Sequence, residues 1–232
     1  MPRRHLRLLA LLAALTTALL ASCGAPPAPQ APQDAPPALP DGARLLADSA
    51  QAMRTVTTTR VGITVQGALP GLPIQAAEGQ LTRQGSAKGT ATVDQLGQVV
   101  ELDFVIIKDK LYVRGPTGGF QELPAATTGV VYDPSVILDP DRGIAAVLAG
   151  GAAATTEARE QVTGVDCYRV RASFSGRALG KLVPGLSQDS TGRMWIATDG
   201  LRLVQAHFPT PTGGLTFQFS DFDAPVDITP PG

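Results

Sequence analysis

The apolar positions along the chain recur at two different periods. Leu46, Ala50 and Met53 fall at i, i+4 and i+7 behind Asp41, a residue suited to an N-cap, so the spacing predicts a helix opening at Asp41. The period then becomes two. In RVGITVQG, Val61, Ile63 and Val65 share one face, and Arg60, Thr64 and Gln66 take the other. VELDFVIIKDKLYVRG continues the alternation, with Val100, Leu102, Phe104 and Ile106 opposite Glu101 and Asp103; Lys108-Asp109-Lys110 reads as a turn into Leu111-Tyr112-Val113. In KGTATVDQ, Ala91 and Val93 share a strand face. Further strands are predicted at 167–173, 193–198, 201–208 and 214–222, with a hairpin turn at Asp199-Gly200.

Helical signals interrupt the strands. YDPSVILDPDRGIAAVLAGG carries Asp133-Pro134 and Asp139-Pro140, each an N-cap residue followed by proline at N1. Two short helices are predicted in series, the second ended by Gly150-Gly151, with Val136, Ile137, Ile144, Val147 and Leu148 on wholly apolar faces. A weaker helix runs from Ala178 to Val183 and stops at Pro184-Gly185. Residues 150–156 read as a small, featureless loop. Strands joined by tight turns favour antiparallel pairing, because parallel pairs need long crossovers. The predicted fold class is α+β: a single curled antiparallel sheet with several helices against its concave face.

Residues 1–22 read as a signal segment. Arg3, Arg4 and Arg7 form its basic start, and Leu8 to Leu20 its apolar run, shorter than the roughly 18–20 residues a spanning helix needs. Leu20-Ala21-Ser22-Cys23 resembles the bacterial lipobox, which implies cleavage before Cys23 and a diacylglyceryl thioether on its sulfur; a plain signal peptide with an incidental cysteine is the alternative. Residues 23–40 then form an anchor and a Pro/Ala-rich tether, and at about 3.1 Å per residue as polyproline II the stretch 24–40 reaches roughly 50 Å. Residues 41–232 are long enough for one domain with a substantial core.

Removing Arg3, Arg4 and Arg7 from 19 basic residues leaves 16 against 20 acids, a net charge near −4, so no basic excess points to nucleic acid. Charged residues are 17% of the chain, where about a quarter is usual. Apolar surface is thus plentiful for a chain of this size. With Cys23 acylated, Cys167 is either a buried small hydrophobe or a free thiol.

Little reactive chemistry is evident. His207 is the sole histidine after the signal segment, and no Gly-x-Ser-x-Gly elbow supplies a nucleophile for it. Glu101 and Asp103 are either a carboxylate pair or a solvated strand face. Trp195 is either a carbohydrate platform or core. Phosphate loops, dinucleotide fingerprints and Cys/His metal spacings are lacking, so neither an enzyme nor a cofactor is expected.

At PGL, DFVIIKDKLYV and above all VYDPSVILDPDRGIAAVLA, the chain resembles the actinobacterial LprG/LppX family of lipoproteins, over essentially the whole of 41–232 and most closely in its LprG branch. The resemblance implies a half-barrel sheet wrapped over helices, enclosing a hydrophobic cavity for acylated lipids. It implies cargo such as phosphatidylinositol mannosides, lipoarabinomannan-type glycolipids or triacylglycerol, carried across the envelope from an extracytoplasmic, lipid-anchored position. A major-facilitator efflux transporter is the partner it implies. By the family pattern, Ala91 and Val93 would line the cavity, and Ile63, Val65, Leu102, Phe104, Ile137, Ile144, Val147 and Leu148 are further candidates. Two competing readings are a tethered envelope interaction module without lipid cargo and a hydrolase; the single histidine argues against the second.

Overall fold

The computed structural model describes residues 38–67, 69, 73–95, 97–124 and 133–232. The signal segment, Cys23, the tether to residue 37, residues 70–72 and Val131-Tyr132 lie outside the described residues. Leu39–Gly232 forms one compact unit that holds every described element and a buried core of its own.

Helix α1 spans Gly42–Thr55, and the Asp41 carboxylate accepts from the Arg44 N–H at 2.8 Å, the N-cap its sequence position predicts. Strands β1 (Thr58–Gln66), β2 (Ile74–Thr82), β3 (Ala87–Gln95), β4 (Gln98–Ile107), β5 (Lys110–Arg114) and β6 (Gln121–Pro124) follow as a meander. Helices α2 (Ser135–Leu138) and α3 (Ile144–Ala149) come next, then β7 (Ala152–Val162), β8 (Val165–Phe174), helix α4 (Gly176–Leu182), β9 (Ser190–Ala197), β10 (Leu203–Thr210) and β11 (Gly213–Ser220). All eleven strands lie in one open antiparallel sheet, ordered β6-β5-β4-β3-β2-β1-β11-β10-β9-β8-β7. The pairing of β1 with β11 joins the two meanders, with Val61, Ile63 and Val65 opposite Phe219, Phe217 and Leu215. Because β6 and β7 sit at opposite edges, the chain between them must cross the sheet, and it carries α2 and α3 over the concave face.

Several expectations need correcting. Residues 152–156 are not loop but the start of β7, an edge strand whose two register shifts break the alternation. Strand β2 carries no strong period-two pattern because its inward positions include Ala77 and Gly79. The Asp139 carboxylate caps a turn rather than α3: it accepts from the N–H groups of Asp141 and Arg142, both at 2.9 Å, and holds the Arg142 guanidinium. The hydrogen bond to Arg142 keeps its carboxyl below the ordinary range although burial opposes this. Helix α3 begins only after Gly143, where a Cβ would collide with the carbonyl oxygens of Val136 and Ile137, so the chain bends tightly over the end of α2. Asp133 accepts from the Ser135 N–H at 2.9 Å, one residue ahead of the α2 cap position held by Pro134.

The core fills one half of the sheet. Helix α1 packs against α3, β7 and β8, and α3 against α4. Beneath these helices the inward side chains of β8 to β11 are fully buried, among them Val170, Met194, Ala206, Phe208 and Phe217. Phe174 and Phe208 meet edge to face at 5.6 Å.

Candidate functional site

The other half of the sheet has the same inward pattern but is not filled. From β1 to β6 the inward positions run through paired neighbours: Ile63 faces Ala77, Ala77 faces Ala91, Ala91 faces Leu102, and Gly79 faces Gly89, which faces Phe104. Ile63, Ala77, Leu102, Phe104 and Val113 are only half-buried, although each lies on the face that points into the molecule. They enclose a cavity of about 680 Å³ with an almost wholly apolar lining, closed at one end by Pro134 and Ile137 of the α2 segment. This lies within the range of about 300–1,000 Å³ typical of ligand sites.

Small residues make the space. Ala77, Gly79, Ala87 and Ala91 form the floor, where the inward residues of β8 to β11 are larger and fully buried. At Gly89 a Cβ would strike the Glu78 carbonyl oxygen and come within 2.6 Å of the Gly79 Cα. The two strands therefore approach too closely for any side chain there. The volume and the almost wholly apolar lining suit an apolar tail rather than a polar ligand.

Of the ten candidates drawn from the resemblance, Ile63, Ala91, Val93, Leu102, Phe104 and Ile137 border this cavity. Ile144, Val147 and Leu148 do not: they lie in the filled core, because α3 turns its apolar face onto α1 and α4. Val65 is half-buried against that same core, next to Leu215 and beyond the cavity wall. The cavity residues missed by sequence reasoning are chiefly those of β2, namely Ile74, Ala77, Gly79 and Leu81, with Ala87, Leu111 and Val113 on the neighbouring strands. Their signal was the register with Val61 and Ile63, which no periodicity within β2 reveals.

Polar groups lie mostly on the convex face. Asp103 is paired to Arg114 at 2.7 Å, and Glu101 is exposed, so the two carboxylates do not share a site. His207 shares a hydrogen bond with the Thr216 hydroxyl at 3.0 Å, and burial together with nearby Arg193 lowers its pKa. The Trp195 indole N–H donates to Glu160 at 2.6 Å, and its ring packs with Val162 on a small cluster of Cys167, Ala197 and Val204. Cys167 is fully buried, and desolvation with nearby Asp166 pushes its thiol up to about 11. Glu157 draws Arg169, Arg171 and Arg193 together; burial resists its charge, but Arg193 and Arg169 outweigh it and hold the carboxyl below its usual range. Among the described residues, no group of three or more His, Cys, Asp or Glu is placed to hold a metal ion.

The chain is similar to known proteins along most of its length. It is 38% identical over 207 residues to the lipoarabinomannan carrier protein LprG of Mycolicibacterium smegmatis, covering 85% of both chains. It is 35% identical over 201 residues to the protein of the same name from Mycolicibacterium hassiacum, covering 83% of this chain and 85% of that one. Among solved structures, LprF from Mycobacterium bovis matches with a TM-score of 0.73 at 25% identity, over 82% of this chain and 96% of that one. The lipoprotein LppX of Mycobacterium tuberculosis shares the fold with a TM-score of 0.61 at 20% identity, over 80% of this chain and 98% of that one. Residues 41–228 match the LppX_LprAFG lipoprotein family, and the chain belongs to it.

Proposed function

We propose that this protein is a carrier of acylated lipids, which seats acyl tails in the cavity under β1 to β6 and leaves the headgroup outside. The observation that carries this reading is the unfilled apolar space of about 680 Å³ in a molecule whose other half is packed solid. Burying a tail contributes about 0.8 kcal/mol per methylene, so one sixteen-carbon chain gains about 12 kcal/mol before the costs of association. Such a ligand needs no reactive groups and few directed hydrogen bonds.

The cargo class is an acylated glycolipid, as the names of the lipoarabinomannan carrier relatives suggest. Cargo with two or three tails requires the cavity to widen. The half of the sheet that can yield is the one held from within chiefly by the short helix α2, which packs on β2. Residues 1–22 direct export, Cys23 carries the lipid anchor, and residues 24–40 let the domain leave the bilayer surface while it stays tethered on the extracytoplasmic side.

The test compares a diacylated phosphatidylinositol mannoside with its deacylated headgroup in titration calorimetry against residues 39–232. Binding of the acylated form alone, with a negative heat-capacity change, is expected. Equal binding of the bare headgroup would show that the cavity is not the site.

A further inference from the structure

After β11 the chain reverses through Asp221 (φ 50°) and Asp223 (φ 57°) and returns over the outside of the sheet. The reversal is pinned at β1. The Asp223 carboxylate accepts from the N–H and the hydroxyl of Thr57 at 2.8 and 3.0 Å, and the Thr58 hydroxyl donates to the Ala224 carbonyl at 2.7 Å. Three residues on, the Asp227 carbonyl accepts from the Lys88 ammonium of β3 at 2.6 Å. Thr58 and Lys88 point to the convex face, since Val61 and Ala87 of the same strands border the cavity and side chains alternate along a strand. Strand β2 lies between β1 and β3, so residues 225–226 pass over it. Three extended residues cover about 10 Å, and two strand spacings are also about 10 Å, so the segment crosses with little length to give. Ala224, Val226 and Ile228 are half-buried, whereas Pro225, Asp227 and Thr229 are exposed, which turns the apolar side of the segment toward the sheet.

Directly behind this crossing lies the cavity floor, with Ala77 and Gly79 on β2 and Ala87 on β3. On its inner side this part of the sheet meets open volume instead of a packed core. Atoms that line an empty apolar space lack partners on one side, and tighter curling of the sheet would restore those contacts by closing the cavity. Tighter curling also stretches the convex surface, and a nearly extended tie from β1 to β3 on that surface resists it. We infer that residues 224–228 are a strap in tension that keeps the empty cavity from curling shut, so the protein meets its lipid with the site already open. The inference rests on the carrier reading and adds how that site is held ready. Curling shut breaks the bond between Lys88 and the Asp227 carbonyl; a filled cavity keeps it made.

The test uses residues 39–232 and a pyrene-labelled monoacylglycerol delivered from detergent micelles. Lys88→Met removes the β3 end of the strap and leaves the cavity lining untouched. Apparent affinity is expected to fall roughly tenfold, the worth of one charge-assisted hydrogen bond, because the open form is less populated. The loss appears as slower loading, and the release rate of bound probe stays unchanged. Ile228→Asp, which places a charge on the sheet-facing side of the segment, acts in the same direction. Lys110→Met, which removes a cation of β5 paired to Glu122, behaves as wild type. In the unmodified protein, acetylation of the Lys88 amine, counted by peptide mass against Lys181 of α4, slows once the probe is loaded. Loading by both folded strap variants at the wild-type rate would overturn the inference, as would an affinity loss that comes from faster release. So would a Lys88 acetylation rate that loading leaves unchanged or raises. A wild type that takes up no probe is a different result: it refutes the carrier reading, and the inference falls with it.

Discussion

Ala91 is the position where a single substitution separates an empty cavity from a packed core. It lies on the floor between Ala77 and Leu102, 8% exposed, with its methyl toward the open volume. In Ala91→Trp the indole adds about nine heavy atoms and displaces about as many methylenes of a bound tail, which at about 0.8 kcal/mol each removes up to about 7 kcal/mol of binding. If the tail recovers half of this by shifting toward the mouth, affinity still falls by more than roughly a hundredfold. The cost to folding is far smaller, because the ring enters existing space; overpacking of the walls contributes about 1–3 kcal/mol. The assay is titration of a fluorescent sixteen-carbon acyl glycolipid, with denaturant unfolding of the same samples. A folded Ala91→Trp protein that binds this lipid with wild-type affinity would refute the reasoning.

Other substitutions probe the filled half and the polar shell. Leu148→Ala, in a fully buried α3 position away from the cavity, is expected to lose about 2–5 kcal/mol in denaturant unfolding while lipid affinity holds. Asp223 has its carboxyl lowered chiefly by the Thr57 N–H, with the Thr57 hydroxyl and Arg202 adding to this against some desolvation. A depressed folded pKa contributes stability above the unfolded value of about 3.9, and that contribution is lost as pH falls through the folded value. Asp223→Asn should therefore flatten the stability profile below about pH 4 relative to wild type, read by thermal unfolding across pH. Cys167, fully buried with its thiol pushed up to about 11, should resist iodoacetamide in the native protein and react once the chain is unfolded, as counted by intact mass.

How far the sequence speaks differs from element to element, and the reason is physical. Helix α1, strands β1, β4 and β5, and the late strands announce themselves because their inward residues are large and meet a core or the sides of the cavity. Strand β2 stays silent because the cavity needs Ala77 and Gly79 where a packed sheet would place leucine or valine. The feature that makes the site is thus the one that hides its strand. Strand β7 is hidden differently, by bulges at an edge where few side chains are buried. Apolar faces also look alike in sequence whether they border space or matter. Ile137 and Leu148 sit on successive helices with similar patterns, yet the first closes the cavity and the second fills the core. That distinction depends on where α3 turns after Gly143, a backbone approach that only the folded chain displays.

The central claim is that the space under β1 to β6 holds lipid, and native mass spectrometry tests it most directly. Residues 39–232 would be purified without detergent from an actinobacterial host and ionised gently. The account predicts a stoichiometric excess mass that extracts into organic solvent as an acylated lipid and disappears in Ala91→Trp. A bare protein that also refuses added acylated glycolipid would contradict it.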